Sequence, residues 1–366
     1  MIRRLHIGLV GPLPPPYGGM ANQTQQLAEL LRSEGQTVAL VQNNVAYQPR
    51  WVSGVPVVRA LFRLVPYLFR LWKETKSCDV VHVMANSGWS WHLFAAPAIW
   101  IARLRDVPVI VNYRGGEAES FLRVSAKSVR ASMRQTSALI VPSGFLQTTF
   151  ERFGMSATIV PNIVDLHRFS NPAPHRTIRR RILVARNLEP IYDNESAIRA
   201  FATVHRVHPD ATLTIAGSGP LVGSLKALVE TLGLENAVVF TGRLDRDAMA
   251  SAYREADIAL NPSLIDNMPN SILEALASGV PVVSTQVGGV PYIVKDEQSA
   301  LLVPPRSPDT MATAILRLMD DTALARKLVD TGLAEAQAYT WQRVWPVLAA
   351  TYVDVCPSVP SIPSVA

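Results

Sequence analysis

The chain has 366 residues, 48% hydrophobic and 17% charged, with a formal net charge of +6. That length exceeds one ordinary core and predicts about two globular domains. Cys78 and Cys356 are the only cysteines, too few for a disulfide framework or a thiolate metal site, which points to a reducing, cytoplasmic setting.

The N-terminus, MIRRLHIGLVGPLP, sets basic residues before an apolar run as a signal peptide would, but His6 interrupts the run and no small-residue cleavage site follows. It reads as a first strand, Ile7–Gly11, then a Pro/Gly loop with Gly18 and Gly19, then a helix over Ala21–Leu31. Glycines there let backbone approach a phosphate, and the helix N-terminus adds a favourable dipole. A plain turn without a ligand fits the same pattern.

A second strand is expected at Thr37–Gln42. The segment Val55–Lys76 then places Arg59, Arg63, Arg70 and Lys73 near one side of a helix, with apolar and aromatic residues elsewhere and a break near Pro66. It reads either as a half-buried surface helix or as an interfacial helix docking at anionic headgroups. Further strands are expected at Val80–Met84, Val107–Tyr113, Ala138–Ser143 and Ala157–Asn162. All are short and β-branched without strict alternation, as in a parallel sheet covered on both faces. His82 ends one of them, as a site residue or as a satisfied structural histidine. Arg114 and Glu117 follow another, at a strand C-terminal end where α/β sheets hold ligands, although an ordinary surface turn is the alternative. The apolar stretch Trp91–Leu104 is too short to span a bilayer. Met1–Pro174 carries 18 Lys and Arg against 9 Asp and Glu, a net of +9, while the remainder carries 17 against 20, a net of −3. A basic half suggests an anionic partner. No basic–aromatic RNA motif or helix-turn-helix pattern stands out, so an anionic membrane surface or a phosphorylated acceptor is expected, and not nucleic acid.

After the connector Ser170–Thr177 the pattern restarts with RILVAR, ATLTIAG, AVVFTG, IALNPS, VPVVST and ALLVPP. Two βα arrays predict an α/β protein of two doubly wound, Rossmann-like domains facing across a cleft, at residues 1–170 and 178–338. A last helix near 340–353 and a Pro/Ser-rich, disordered tail at 357–366 complete the expectation. Arg186 ends RILVAR and offers fixed, always-charged donors to phosphate oxygens. AGSGPLVG (Ala216–Gly223) imitates a dinucleotide fingerprint, a weak signal alone. Asp245-Arg246-Asp247 imitates a metal-chelating Asp-x-Asp, but its place before AMASAYREA predicts a helix N-cap and no metal.

The stretch Ser263–Thr285, SLIDNMPNSILEALASGVPVVST, reads loop, helix, tight stop, strand. Pro269 suits a first helical position, Ile272, Leu273, Leu276 and Val280 form a buried stripe, Gly279 can close the helix left-handed, and Pro281 prevents continuation. Asp266 and Glu274 bracket the helix start, where unpaired N–H groups favour a polar or anionic ligand such as a nucleotide sugar. On spacing alone, Glu274 could equally sit on a solvated face with Asn270 and Ser278.

Together these motifs resemble the retaining glycosyltransferases of family 4, which have the GT-B fold. The resemblance covers nearly the whole chain: GPLPPPYGGM, IVPNIVD, AGSGP, FTGRL, the Asp266/Glu274 pair and VGGVPYIVKDEQSALLVPP. It implies transfer of a hexose from a nucleotide-diphosphate sugar to a hydroxyl, with retained configuration and neither metal nor cofactor. The acceptor implied is a lipid-linked or envelope or exopolysaccharide glycan, made in the cytoplasm by a protein that can sit peripherally at the inner membrane face. Glu274 inherits the ribose hydroxyls and Asp266, where the family usually has Glu, the sugar, with Asn267, Met268, Pro269, Asn270 and Ser271 beside it. Gly18 and Gly19 would lie over the diphosphate; Asn187, Gly217, Gly219, Arg243 and Leu244 would line the donor. Arg186 would steady the leaving phosphate, His82 and Glu117 would lie on the acceptor side, and the final helix would return to the first domain. Two departures stand out. The Lys expected about five residues after Arg186 is absent, with Tyr192 or Asp193 in its place, and Arg114 stands where many members have His. Arg114 could supply the missing charge, as could Asn187, Tyr192 or an acceptor-domain base. An epimerase on the same fold, or a non-catalytic nucleotide-sugar-binding partner, remains an alternative.

Overall fold

The computed structural model describes residues 3–15, 18–45, 56–175 and 179–356, so the expected tail lies outside it. The chain forms two compact units, Met1–Pro161 with Trp345 onward, and Asn162–Val344.

The first unit runs β1 (His6–Gly11), α1 (Gly19–Ser33), β2 (Thr37–Gln42), α2 (Pro56–Thr75), β3 (Val80–Ala85), α3 (Ala96–Leu104), β4 (Val109–Tyr113), α4 (Ala118–Met133), β5 (Ala138–Val141), α5 (Gly144–Arg152) and β6 (Thr158–Ile159). Its strands form one parallel sheet in the order β2-β1-β3-β4-β5-β6. Every residue of β3 and β4 is buried, which explains their continuous apolar text. The apolar stretch after β3 folds as a π-helical turn, Trp91–Ala95, leading into α3, and places Trp91 in the core. Among the described residues no helix is long and apolar enough to cross a membrane.

The expected break at Pro66 does not occur: α2 is one helix with Pro66 inside it. Proline removes one ladder hydrogen bond. Here Pro66 and Phe62, whose carbonyl loses its partner, both lie on the exposed face, where water can take up the freed acceptor.

The second unit runs β7 (Arg181–Val184), α6 (Asn194–Val207), β8 (Thr212–Ala216), α7 (Val222–Thr231), β9 (Val238–Gly242), α8 (Arg246–Glu255), β10 (Ile258–Asn261), α9 (Asn270–Ala277), β11 (Val282–Thr285), β12 (Leu301–Val303), α10 (Pro308–Asp320) and α11 (Thr322–Ala336). Its parallel sheet has the order β12-β11-β10-β7-β8-β9. The direction of winding therefore reverses between β7 and β10. A crevice outside the strand ends opens at such a reversal. The last helix, α12 (Trp341–Val355), begins in this unit, and its residues from Trp345 belong to the first.

The sequence draws the domain boundary after residue 170, at the Pro-containing connector, whereas the contacts draw it at Pro161/Asn162. Asn162 explains the difference, because its Nδ2 donates to Met268 O and to Asn270 Oδ1, both at 2.8 Å.

Candidate active site

The crevice at the β7/β10 reversal is built on a row of buried polar side chains. Asn261, Ser263, Ser284 and Thr285 are all buried at the ends of β10 and β11. Ser263 Oγ donates to Asn261 Oδ1 at 2.8 Å, Asn261 Nδ2 donates to Ser284 Oγ at 2.9 Å, and Thr285 Oγ1 donates to Ser263 O. On this base sits Arg186, two residues beyond β7. Its Nε and Nη2 donate to Ser263 Oγ at 3.0 and 2.8 Å, and Nη2 forms an ion pair with the Asp266 carboxylate. Tyr192 stacks beneath the guanidinium, 4.6 Å from the ring centroid. Burial holds the Arg186 pKa below its ordinary value, with Tyr192, Tyr253 and Glu274 pulling the other way. The residue found where a lysine was expected is thus an aromatic support for the first cation. Arg186 and Asp266, expected on phosphate and sugar respectively, are brought together.

Glycines seat the loops that carry these groups. A Cβ on Gly217 would collide with Arg186 O, and one on Gly219 with Leu188 O. Leu188 N–H donates to Ser218 O, and Leu221 N–H to Leu188 O, both at 3.1 Å. Gly217 and Gly219, expected to line the donor, therefore turn that face to the protein's own backbone and hold the Arg186 loop in place. Gly288 and Gly289 do the same for the acidic loop: their added Cβ atoms would strike Asp266 O and Asn267 O, and Gly289 N–H donates to Asp266 O at 2.8 Å. Gly288 also has φ +50, which a side chain would strain.

Pro269 is the N-cap of α9, not its first residue, and its carbonyl accepts from Ile272 N–H at 3.1 Å. Gly279 closes the helix with φ +62, as its position predicts. Glu274 lies in the middle of α9, not at its start. It is half-buried, hydrogen-bonded to Tyr253, and faces Arg246 and Arg186. Burial raises its carboxyl to about 7, against the pull of Arg246, the Tyr253 hydrogen bond and Arg186. Tyr253 Oη also lies 2.9 Å from Ser271 O, so its single proton serves either that carbonyl or the Glu274 carboxylate, while Ser271 Oγ is buried without a protein partner. A carboxylate, a hydroxyl and N-terminal amides of a helix fit a polyhydroxylated anion.

The other expected donor residues fall around the same loops. Met268 and Asn267 are buried, and Met268 O and Asn270 Oδ1 accept from Asn162. Asn187 Nδ2 donates to Glu189 at 3.3 Å. Arg243 is exposed with its Nε on Ser218 Oγ at 2.5 Å, and Leu244 is half-buried next to it. Asp245 is an N-cap, accepting from Asp247 and Ala248 N–H at 3.1 and 2.8 Å.

In the first unit, Gly18 is the N-cap of α1, which has no side-chain cap and no acid in its first turn. Added Cβ atoms on Gly18 and Gly19 meet open space, so packing within the protein does not require glycine there. Arg114 follows β4, its N–H on Ala85 O at 2.9 Å and its Nε on Asn112 Oδ1 at 2.9 Å. Burial lowers its guanidinium to about 10. Glu117 is exposed at the N-terminus of α4. His82 corrects the expectation of an acceptor-side residue. It is 0% exposed, with Nδ1 2.7 Å from Tyr352 Oη and Nε2 3.1 Å from Asn112 Nδ2, so no acceptor can touch it.

Comparison with known proteins decides the family. Residues 17–168 match the model described as Glycosyltransferase Family 4, and residues 179–321 match that of Glycosyl transferases group 1. The chain is a family 4-type glycosyltransferase. An uncharacterised glycosyltransferase of Methanocaldococcus jannaschii is 33% identical over 41% of this chain and 38% of its own length. The glycogen synthase of Mycobacterium tuberculosis is 29% identical over 82% of the chain and 74% of its own length. Among solved structures, the sucrose-phosphate synthase of Thermosynechococcus elongatus aligns with TM-score 0.74 at 20% identity, covering 95% of this chain and 98% of that one. Anabaena HepE in complex with UDP and glucose aligns with TM-score 0.74 at 19% identity, covering 95% and 99%. These likenesses establish the GT-B fold.

Sequence reasoning missed four residues of this glycosyltransferase that now stand out. Ser263 had a signal, since a small hydroxyl just beyond a buried strand sits at the crevice floor. Asn162 lay inside the quoted IVPNIVD motif without a role. Tyr253 and Arg246 gave none, because only the packing of α8 against α9 sets them against Glu274.

Proposed function

We propose that this chain transfers a hexose from a nucleoside-diphosphate sugar to a hydroxyl, with retained anomeric configuration and without a metal. The observation that carries the reading is the cluster at the β7/β10 reversal: Arg186 on its polar floor, Asp266 paired with it, and Glu274 held on α9. The donor class is supported by HepE, whose structure contains UDP and glucose, and by a GDP-mannose-dependent phosphatidylinositol monomannoside mannosyltransferase of Mycobacterium tuberculosis, 28% identical over 72% of this chain. Glu274 accepts hydrogen bonds from the ribose hydroxyls. The diphosphate takes up the Arg186 donors, releasing Asp266 for the sugar. Catalysis is then positioning and stabilisation of the departing phosphate, with a phosphate oxygen taking the acceptor proton. No nucleophile is required from the protein. Arg114 is the second cation in place of the missing lysine.

The acceptor is a lipid-linked or envelope glycan, reached by a protein held peripherally at an anionic membrane surface. The supporting observation is on α2 and α3. Phe62, Val65, Phe69 and Trp72 recur at helical spacing and are exposed, Phe69 by 71%, and Trp100 and Leu104 are exposed on α3. Arg105 stacks over Trp72 at 4.4 Å, and Arg70, Lys73 and Lys76 are exposed nearby in sequence. Apolar side chains rimmed by cations suit anionic headgroups.

The test is a thermal-shift screen against UDP-, GDP-, ADP- and dTDP-sugars, followed by reaction of the stabilising donor in EDTA. A product with the donor's anomeric configuration is expected. An inverted product, metal-dependent turnover, or release of isomerised free sugar would overturn the reading.

A further inference from the structure

His82, Asn112 and Tyr352 form a buried polar chain in the core of the first unit, and it ends on Arg114. Their exposures are 0%, 1% and 0%, on β3, β4 and α12. His82 pairs in register with Ile110, and Met84 with Asn112, so the two polar side chains are diagonal neighbours on one face of the sheet. Burying three polar groups among Val, Ile and Tyr is costly where aliphatic residues would fill the space. The chain reaches a charged group at the Arg114 guanidinium.

The direction of every hydrogen bond follows from that charge. Arg114 Nε–H can only donate, so the Asn112 atom at 2.9 Å is its carbonyl oxygen. The Asn112 amide nitrogen, which also only donates, therefore faces His82 Nε2 at 3.1 Å. Nε2 must present a lone pair. The neutral ring then carries its proton on Nδ1 and donates it to Tyr352 Oη at 2.7 Å. A second proton on His82 would set N–H against N–H, and burial and Arg114 both oppose it. Turning the Asn112 amide over to relieve that would take away the acceptor of Arg114.

We propose that Tyr352, His82 and Asn112 are positioning residues: the chain Tyr352–His82–Asn112 holds His82 as the neutral Nδ1–H tautomer and thereby fixes the Arg114 guanidinium for transfer. The inference rests on the proposed role of Arg114, and it adds a role for the last helix.

The test has a spectroscopic and a kinetic arm. In protein labelled with 15N-histidine, His82 shows a protonated Nδ1 and an unprotonated Nε2 at neutral pH; an Nε2–H tautomer or an imidazolium overturns the chain. Turnover is read as release of nucleoside diphosphate from the nucleotide sugar that stabilises the protein most. Asn112→Leu lowers kcat roughly 10- to 100-fold, the scale of a misplaced catalytic group, with the donor KM within about twofold. Asn112→Asp keeps an acceptor for Arg114 and retains most of kcat, while His82 switches to the Nε2–H tautomer. Combined with Arg114→Ala, Asn112→Leu causes no further loss; multiplying losses mean that Asn112 acts on the fold and not through Arg114. Where Asn112→Leu fails to fold, Tyr352→Phe takes its place in the same combination, with a smaller loss expected. Wild-type turnover in Arg114→Ala removes Arg114 from the reaction and the chain's role with it, whereas the tautomer stands or falls by the spectrum alone.

Discussion

Two arginines sit just beyond sheet strands of this protein, and they are held in opposite ways. Arg186, after β7, leans on a serine hydroxyl and an aspartate carboxylate, with an aromatic ring beneath it. Arg114, after β4, has its Nε on a neutral amide backed by a neutral imidazole. The first carries a counter-charge, the Asp266 carboxylate; the second has its Nε set by an amide oxygen. A guanidinium whose charge is already offset can accept an anion by exchange, with phosphate oxygens taking the place of the carboxylate. Under the proposed function, Arg114 acts on the charge that develops in the transition state.

The largest expected effect is at Arg186. Arg186→Lys lowers turnover by about 100- to 1,000-fold, because a point charge cannot reproduce paired donors to Ser263 and a phosphate; steady-state kinetics with a folded variant checks it. Retained turnover would make the two arginines interchangeable and break the comparison. Glu274→Ala weakens nucleotide binding by about 1.5–3 kcal/mol, the usual loss for a hydrogen bond to a charged group. Calorimetry reads this, and unchanged affinity removes Glu274 from the ribose.

The Glu274 carboxyl also gives a pH signature. Its folded pKa is raised from the ordinary 4.5 to about 7. A raised acid contributes stability that is present below about 4.5 and lost as pH rises through about 7, so Glu274→Gln should gain stability over the wild type at pH 8 and not near pH 4.5. Donor affinity runs the other way. The ionised carboxylate is the better acceptor for ribose hydroxyls, so affinity falls as pH drops through about 7, and Glu274→Gln is flat. Thermal melts and titrations across that range separate the two, and a pH-independent wild type would contradict the burial argument. A smaller effect is expected at the surface of the first unit. Phe69→Asp should reduce flotation with anionic vesicles at low salt, and added salt should release the wild type as it screens the attraction. Equal binding to neutral vesicles would contradict the electrostatic part.

Much of the fold was legible because parallel strands buried on both faces leave continuous β-branched runs, and each of the twelve strands among the described residues overlaps one of the expected runs, β1 and β3 extending one residue beyond theirs. The acidic loop was legible because Gly279 and Pro281 punctuate it. What the sequence hid depends on long-range packing. The glycines of AGSGP look like ligand-binding glycines, yet Gly217 and Gly219 serve a neighbouring loop, while added Cβ atoms on Gly18 and Gly19, in the loop before α1, meet open space. His82 was expected to end a strand as a site residue would, but it is the third residue of β3, and α12, some 270 positions later, covers it with Tyr352. Pro66 looked like a break because sequence does not reveal which face of α2 meets water.

The most direct test of the contrast between the arginines is a paired measurement on Arg114→Ala, turnover and nucleotide affinity on the same preparation. The account predicts turnover reduced by at least about tenfold, as for loss of a group that acts on developing charge, with nucleotide affinity within about twofold of the wild type. Full turnover, or a loss of affinity that matches the loss of turnover, would contradict it.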